Sequence, residues 1–170
     1  MKLKNVLNDI DILHTKCEDV KEINKEILST LDEMLECMYK NRGIGLTANQ
    51  VGILKKLIVI DLQENDVKLP LYLINPEILE KSDECEMGEE GCLSVPTVRV
   101  NMKRSKNIKV KYLDREGKEN IIDADGLLAI CIQHEMDHMN GITIYDSLSK
   151  IKKDFALKKI KKFLIEKGKK

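Results

Sequence analysis

The sequence predicts an α+β protein in which mostly antiparallel sheets pack around a buried central helix, with further helices near the N- and C-termini. Three observations lead to this fold class. Residues 18–41 carry apolar side chains at three- and four-residue steps, the period of a helix that buries one face. Short β-branched runs follow without the crossover helices that parallel strands need. Residues 127–132 are then apolar on all sides, as expected of a buried helix.

The elements can be placed in order along the chain. The first helix is expected to end near Gly43, because glycine is common just after a helix. Residues 43–52 and 88–96 are glycine-containing and are expected to form loops. Strands are predicted at residues 57–60, 71–74 with 78–81 as a continuation, 108–112 and 120–124, the last two as a hairpin. The buried helix should run from residue 126 to about 140, and a final helix from 149 to 167.

Composition limits the class of protein. The 170 residues favour one domain spanning 1–170, with 149–167 as a basic C-terminal helix. Lys+Arg and Asp+Glu are both 29, so the charge of the whole chain does not indicate a partner, and no run approaches the roughly 20 apolar residues of a membrane span. Neither DNA nor a membrane is expected as a partner. The start of the chain is too acidic for a typical transit peptide and lacks a signal-peptide core, which favours a cytoplasmic location. Five cysteines, an odd number, argue against a disulfide framework.

The strongest chemical signal is His134-Glu135-Met136-Asp137-His138. Histidines at i and i+4 lie on one face of a helix, where both imidazoles can bind the same metal ion. Glu135 is then suited to act as a general base toward water at the metal. Two of the chain's three histidines fall at this spacing, within the helix predicted to be buried.

A catalytic metal site of this kind needs a third protein ligand. Metzincins use a histidine ten residues after the first, but that position is Ile144. Thermolysin-like enzymes use a downstream glutamate, and Glu166 lies in a lysine-rich segment that makes it a poor candidate. His14 is remote, in a polar stretch. Cys92, in the polar, glycine-containing segment 89–96 rather than in a core segment, is the remaining candidate, since a thiolate with two imidazoles forms an open three-ligand site.

Three segments together resemble the peptide deformylase family. They are residues 43–52 (GIGLTANQVG), 90–94 (EGCLS) and 133–138 (QHEMDH). Their order and separations also fit that family, and the likeness covers roughly residues 24–148. The chain departs from the family at Thr47 and Asn49, where many relatives have alanine and proline. These departures are expected to change the stiffness of the loop before Gln50 more than the chemistry.

The resemblance implies an enzyme that hydrolyses the N-formyl group of formyl-methionine on nascent polypeptides and releases formate. It implies one divalent metal ion per chain, held by Cys92, His134 and His138, with ferrous iron expected in the cell and zinc, nickel or cobalt as alternatives. The catalytic residues implied are Glu135 as general base, with the Gln50 amide and the Leu93 backbone N–H as oxyanion donors. The substrate contacts implied are Ile44, Gly45, Arg99, Leu127 and Cys131, and the supporting residues are Glu90, Arg104 and Asp137.

Two alternatives compete with this interpretation. A generic HExxH metallopeptidase would dispense with Cys92 and Gln50, and a non-catalytic relative that binds nascent chains would be expected to have lost one of the reactive residues. The basic helix at 149–167 is expected either to pack on the domain with a solvated lysine face or, as the family's C-terminal helix does in some bacteria, to contact the ribosome, with binding to a membrane surface as a weaker third alternative.

Overall fold

The structure is a computed structural model that describes residues 1–168, and within them it has four α-helices and seven strands. The helices are α1 (Ile10–Leu13), α2 (Lys25–Lys40), α3 (Gly126–Met139) and α4 (Lys150–Lys167). The strands are β1 (Gly45–Thr47), β2 (Leu57–Ile60), β3 (Leu71–Lys81), β4 (Cys85–Cys92), β5 (Val95–Ser105), β6 (Asn107–Leu113) and β7 (Glu119–Asp125).

The strands form two antiparallel sheets. The larger sheet has the order β1-β2-β3-β6-β7, and β4 and β5 form a separate hairpin. All paired strands in both sheets run antiparallel, which confirms the predicted α+β class. The strand β2 is buried along its whole length, as its unbroken apolar run predicts.

Helix α3 packs against the large sheet. Its residues Ala129, Ile132 and Met136 share a core cluster with Ile58 and Ile60 of β2. Burying a side chain of this size typically contributes about 1.5–3 kcal/mol, so the helix is held firmly in place. The prediction that the helix is buried on all sides is wrong in its first turn, where Leu127 is 50% exposed.

Helix α2 is shorter than predicted. It begins at Lys25, because the Asn24 side chain accepts a hydrogen bond from the backbone N–H of Ile27 at 3.0 Å and caps the first turn. Before this cap the chain is extended, and Glu18 forms an isolated parallel bridge with Lys55. In this segment Val20 is buried and Ile23 is half-buried, although neither residue is helical.

Gly43 does not act as the left-handed cap of this helix. Arg42 takes the left-handed conformation instead, with φ 58°, while the Gly43 N–H closes the turn onto the Met38 carbonyl at 3.0 Å. A Cβ at Gly43 would lie 2.7 Å from Leu93 Cδ1, so the glycine lets the Leu93 side chain pack closely against this turn.

The two segments predicted as loops contain strands. Residues 43–52 form β1 and a 3₁₀ turn at Ala48–Val51, and residues 88–96 belong largely to β4 and β5. The strands of the β4–β5 hairpin were not predicted from the sequence, because β4 carries polar residues and glycines rather than an alternating apolar face.

The final helix, α4, closely follows the predicted range. Ala156 and Ile160 are buried against the β5 side of the molecule, while most of its lysines are exposed. Lys169 and Lys170, which belong to the predicted basic tail, lie outside the described residues. Among the helices described, none has the length and apolarity required to cross a membrane.

Candidate metal centre and active site

Helix α3 presents His134 and His138 one turn apart. Both side chains are buried, and their ring centroids lie 5.0 Å apart with an interplanar angle of 69°. Because the i and i+4 spacing is fixed by the helix itself, the two rings face the same small volume.

The hairpin β4–β5 brings Cys92 to the same volume. Its Sγ lies 3.0 Å from His138 Nε2, and the ligand atoms of Cys92, His134 and His138 all lie within 4.8 Å of one another. Cys92 lies two residues after Glu90 on β4, so both side chains are on the strand face that meets α3. One thiolate and two imidazoles are a donor set that suits a divalent transition metal with a further position open.

The electrostatics favour the ligand form of the cysteine. Burial by itself would raise the pKa of the Cys92 thiol, but the adjacent imidazoles of His138 and His134 hold that pKa well below its ordinary value. A thiolate is the form of cysteine that binds metal ions.

A buried network of charges holds His134. Its Nδ1 lies 2.9 Å from Glu90 Oε2, and Arg104 pairs with both oxygens of Glu90, at 2.7 and 2.9 Å. Arg104 also donates to Asp137 Oδ2 at 2.6 Å. Burial would raise the pKa of Glu90, but Arg104 and His134 lower it to about 2. A carboxylate on the outer nitrogen of a metal-binding histidine fixes the ring's tautomer and orientation.

Glu135 lies between the histidines and β1. Its side chain is buried, and Thr47 Oγ1 lies 2.8 Å from its Oε2. Burial raises the pKa of the Glu135 carboxyl above its ordinary value, against the opposing effect of His134 and His138. A raised carboxyl pKa is what a general acid–base group needs near neutral pH.

Gln50 approaches the site from the 3₁₀ turn after β1. Its Oε1 accepts a hydrogen bond from the Thr47 backbone N–H at 2.8 Å, which aims the amide nitrogen toward Cys92. That nitrogen lies 3.6 Å from Cys92 Sγ and donates to Ser94 Oγ at 3.2 Å. Leu93 follows Cys92 in the turn that joins β4 to β5. The two expected oxyanion donors are therefore attached to segments that border the metal-binding volume.

Two of the residues expected to contact substrate, Gly45 and Cys131, lie beside Glu135. A Cβ on Gly45 would lie 2.5 Å from Glu135 Oε1 and 2.7 Å from Cys131 Sγ. Cys131 is buried, and burial raises the pKa of its thiol well above the ordinary value, so the side chain remains neutral. Ile44 packs against the core cluster that contains Cys131. Leu127 is half exposed.

Arg99, on β5, pairs with Gly91, on β4, across the hairpin. A Cβ on Gly91 would lie 2.9 Å from a guanidinium nitrogen of Arg99, so the glycine leaves room for the arginine to lie across the strand that ends at Cys92.

The competing ligands are placed elsewhere. His14 Nε2 lies 3.0 Å from Asp146 Oδ1 at the surface, and Glu166 lies exposed on α4. Neither belongs to the group of metal-binding side chains that the described residues form.

Two contacts of the site were not predicted from the sequence. Thr47 reaches Glu135, and the Asn49 side chain donates to the backbone carbonyl of His138 at 2.5 Å. Both positions stood out in the sequence as departures from the family pattern, but that signal did not indicate which groups they contact.

Comparisons with known proteins agree with the geometry. Residues 3–154 match the model of the polypeptide deformylase family. The peptide deformylase of Bartonella quintana is 46% identical over 158 residues, covering 92% of this chain and 90% of that protein. The crystal structure of a peptide deformylase from Legionella pneumophila superposes with a TM-score of 0.91 at 36% identity, covering 99% and 98% of the two chains. That from Ehrlichia chaffeensis in complex with actinonin has a TM-score of 0.89 at 40% identity, covering 95% and 96%.

Proposed function

Because the chain belongs to the polypeptide deformylase family, whose known function is deformylation of N-terminal formyl-methionine, we propose that Cys92, His134 and His138 hold its metal ion and that Glu135 is its general base. The enzyme is accordingly a metal-dependent hydrolase. One observation supports this assignment of residues. Cys92 is far in sequence from His134 and His138, yet the ligand atoms of the three side chains lie within 4.8 Å of one another.

The donor set fits one divalent ion per chain. Ferrous iron is proposed as the ion in the cell, and zinc, nickel and cobalt suit the same ligands. When bound, such an ion would act as a Lewis acid on the formyl carbonyl and lower the pKa of water.

Different residues of the protein are proposed to transfer the proton, stabilise the oxyanion and orient His134. Glu135 accepts a proton from the attacking water and passes it to the leaving amine, so that formate and a free N-terminus result. The Gln50 amide and the Leu93 backbone N–H donate to the oxyanion of the tetrahedral intermediate. A single donor of this type is typically worth about 3 kcal/mol in the transition state. Arg104 and Glu90 keep His134 in one orientation throughout.

Substrate recognition is proposed on the β1 side of the site. The apolar surfaces of Ile44, Leu127 and Cys131 suit an unbranched methionine side chain, and Leu127, which is half exposed, would contact its outer end. The Gly45 backbone would hydrogen-bond the peptide chain, and Arg99 would supply a polar contact at the opposite rim.

The test is formate release from a short formyl-Met peptide by enzyme loaded with ferrous iron under anaerobic conditions. Rapid release that a chelator abolishes is the expected result. Glu135→Gln should keep one metal per chain and lose several orders of magnitude in kcat. If it retained a tenth of the wild-type activity, Glu135 would not be the general base.

We further propose that the whole chain forms one catalytic domain in the cytoplasm and that α4 contacts the ribosome. Helix α4 is anchored by Ala156 and Ile160, which leaves most of its lysines exposed to solvent, where they could meet phosphates. Attraction of this kind weakens steeply with salt.

Ribosome co-sedimentation at low and raised salt tests the contact. The double reversal Lys159→Glu, Lys162→Glu should abolish it without changing kcat on a free peptide. The control reverses Lys103 and Lys118, which are exposed outside α4. Equal binding by both double variants would contradict a specific role of α4.

A further inference from the structure

We infer that the side chain of Thr47 is a positioning residue for catalysis, because its hydroxyl holds the Glu135 carboxylate in one orientation. This inference rests on the proposed role of Glu135 as general base. It assigns a function to a side chain that lies outside the three metal ligands and the oxyanion donors.

The contact is short and completely shielded from solvent. Thr47 Oγ1 lies 2.8 Å from Glu135 Oε2 and 2.8 Å from the Glu135 backbone carbonyl oxygen. Thr47 is 0% exposed and Glu135 3% exposed. A hydroxyl has one proton to donate, and a carboxylate is a stronger acceptor than a carbonyl, so the proton is expected on Oε2.

The hydrogen bond leaves the two carboxylate oxygens with different roles. Oε2 is turned toward Thr47, whereas Oε1 faces Gly45, where a Cβ would lie only 2.5 Å away. Oε1 therefore points toward the strand proposed to bind the peptide, and it is the oxygen placed to exchange protons with the reacting groups. Rotation of the carboxylate would break the bond to Thr47.

Thr47 is itself rigidly held. It ends β1, where it pairs with Ile58 of the buried strand β2. Its backbone N–H donates to Gln50 Oε1 at 2.8 Å, so the same residue orients the proposed oxyanion donor. Thr47 therefore contacts both proposed catalytic side chains, Glu135 and Gln50, from a position fixed by the sheet. The Thr47 side chain also accepts a hydrogen bond from the Gln50 backbone N–H, so the position of Gln50 in the variant structures separates an effect on Glu135 from an effect on the 3₁₀ turn.

The experiment compares Thr47→Ala with Thr47→Ser. The two variants differ only in the hydroxyl, and both remove the same methyl group, so cavity effects are matched. If the hydroxyl positions the base, kcat on a formyl-Met peptide should be about tenfold lower in the alanine than in the serine variant. KM and metal content should agree within twofold, because substrate and metal contacts are unchanged.

Crystal structures of the metal-loaded variants supply a readout that does not depend on activity. We expect Glu135 in one rotamer in the serine variant and in a shifted or divided conformation in the alanine variant. Equal kcat values for the two variants, or an unmoved Glu135 in Thr47→Ala, would overturn the inference. A failure of the general-base assignment is distinguishable, since it would appear as activity retained by Glu135→Gln whatever the result at Thr47.

Discussion

Replacement of Arg104 by methionine should damage both the stability of the fold and the metal site. Arg104 is 8% exposed and makes three hydrogen bonds of 2.6–2.9 Å, two to Glu90 and one to Asp137. Methionine fills a similar volume but leaves the Glu90 carboxylate, itself 7% exposed, without its cation. Removing one partner from a buried ion pair typically costs about 3–5 kcal/mol.

The loss should appear in two measurements. Urea unfolding of the metal-free protein should give a free energy of unfolding lower by about 3–5 kcal/mol. A competition titration with a chelator should show metal affinity reduced by about 10- to 100-fold, because Glu90 no longer orients His134 firmly.

A matched variant controls for the loss of a cation as such. Lys106 pairs with Glu84 at the surface, where both side chains are well exposed, so Lys106→Met should leave the unfolding midpoint and the metal affinity unchanged. If Arg104→Met lost less than about 1 kcal/mol, the buried pair would not stabilise the fold in the way its geometry indicates.

Three other changes have defined outcomes. Gly45→Ala should reduce kcat at least tenfold because its Cβ would meet Glu135 Oε1 at 2.5 Å, whereas Gly88→Ala, with open space around its Cβ, should have no effect in the same assay. Cys92→Ala should lose bound metal when measured by elemental analysis, and near-normal metal content would exclude the proposed ligand set. The Asp61 pKa is lowered below its ordinary 3.8: burial raises it, but hydrogen bonds from Tyr39 and two backbone N–H groups outweigh that effect. The stabilisation is therefore complete above about pH 5 and is lost as pH falls through the ordinary and then the lowered pKa of Asp61, so the difference in unfolding free energy between wild type and Asp61→Asn should be constant from pH 7 to about 5 and shrink below that pH.

Several elements could be predicted because their signals are local. The helical period, the β-branched runs and the hairpin at 108–124 depend on sterics between near neighbours, and they occur where expected. Predictions failed where a polar segment formed a strand, as in β4, because hairpin pairing there does not require an apolar face. They also failed at the start of α2, where the Asn24 cap ended a longer apolar period.

The site likewise has one feature that the sequence alone determined and another that it did not. The spacing of His134 and His138 follows from one turn of helix, so the sequence alone determined that these rings face one volume. Cys92 is 46 residues from His138, and its convergence was inferred from its chemistry and from a family resemblance.

Only the tertiary structure decided the contacts between distant segments. The β4–β5 hairpin packs so that Cys92 Sγ lies 3.0 Å from His138 Nε2, Arg104 contacts two carboxylates, and the Thr47 hydroxyl contacts Glu135 between the sheet and α3. Each of these contacts depends on how far one element slides along another and on which side chains fill the space between them. Local sequence preferences do not specify those distances, whereas packing of the complete core does.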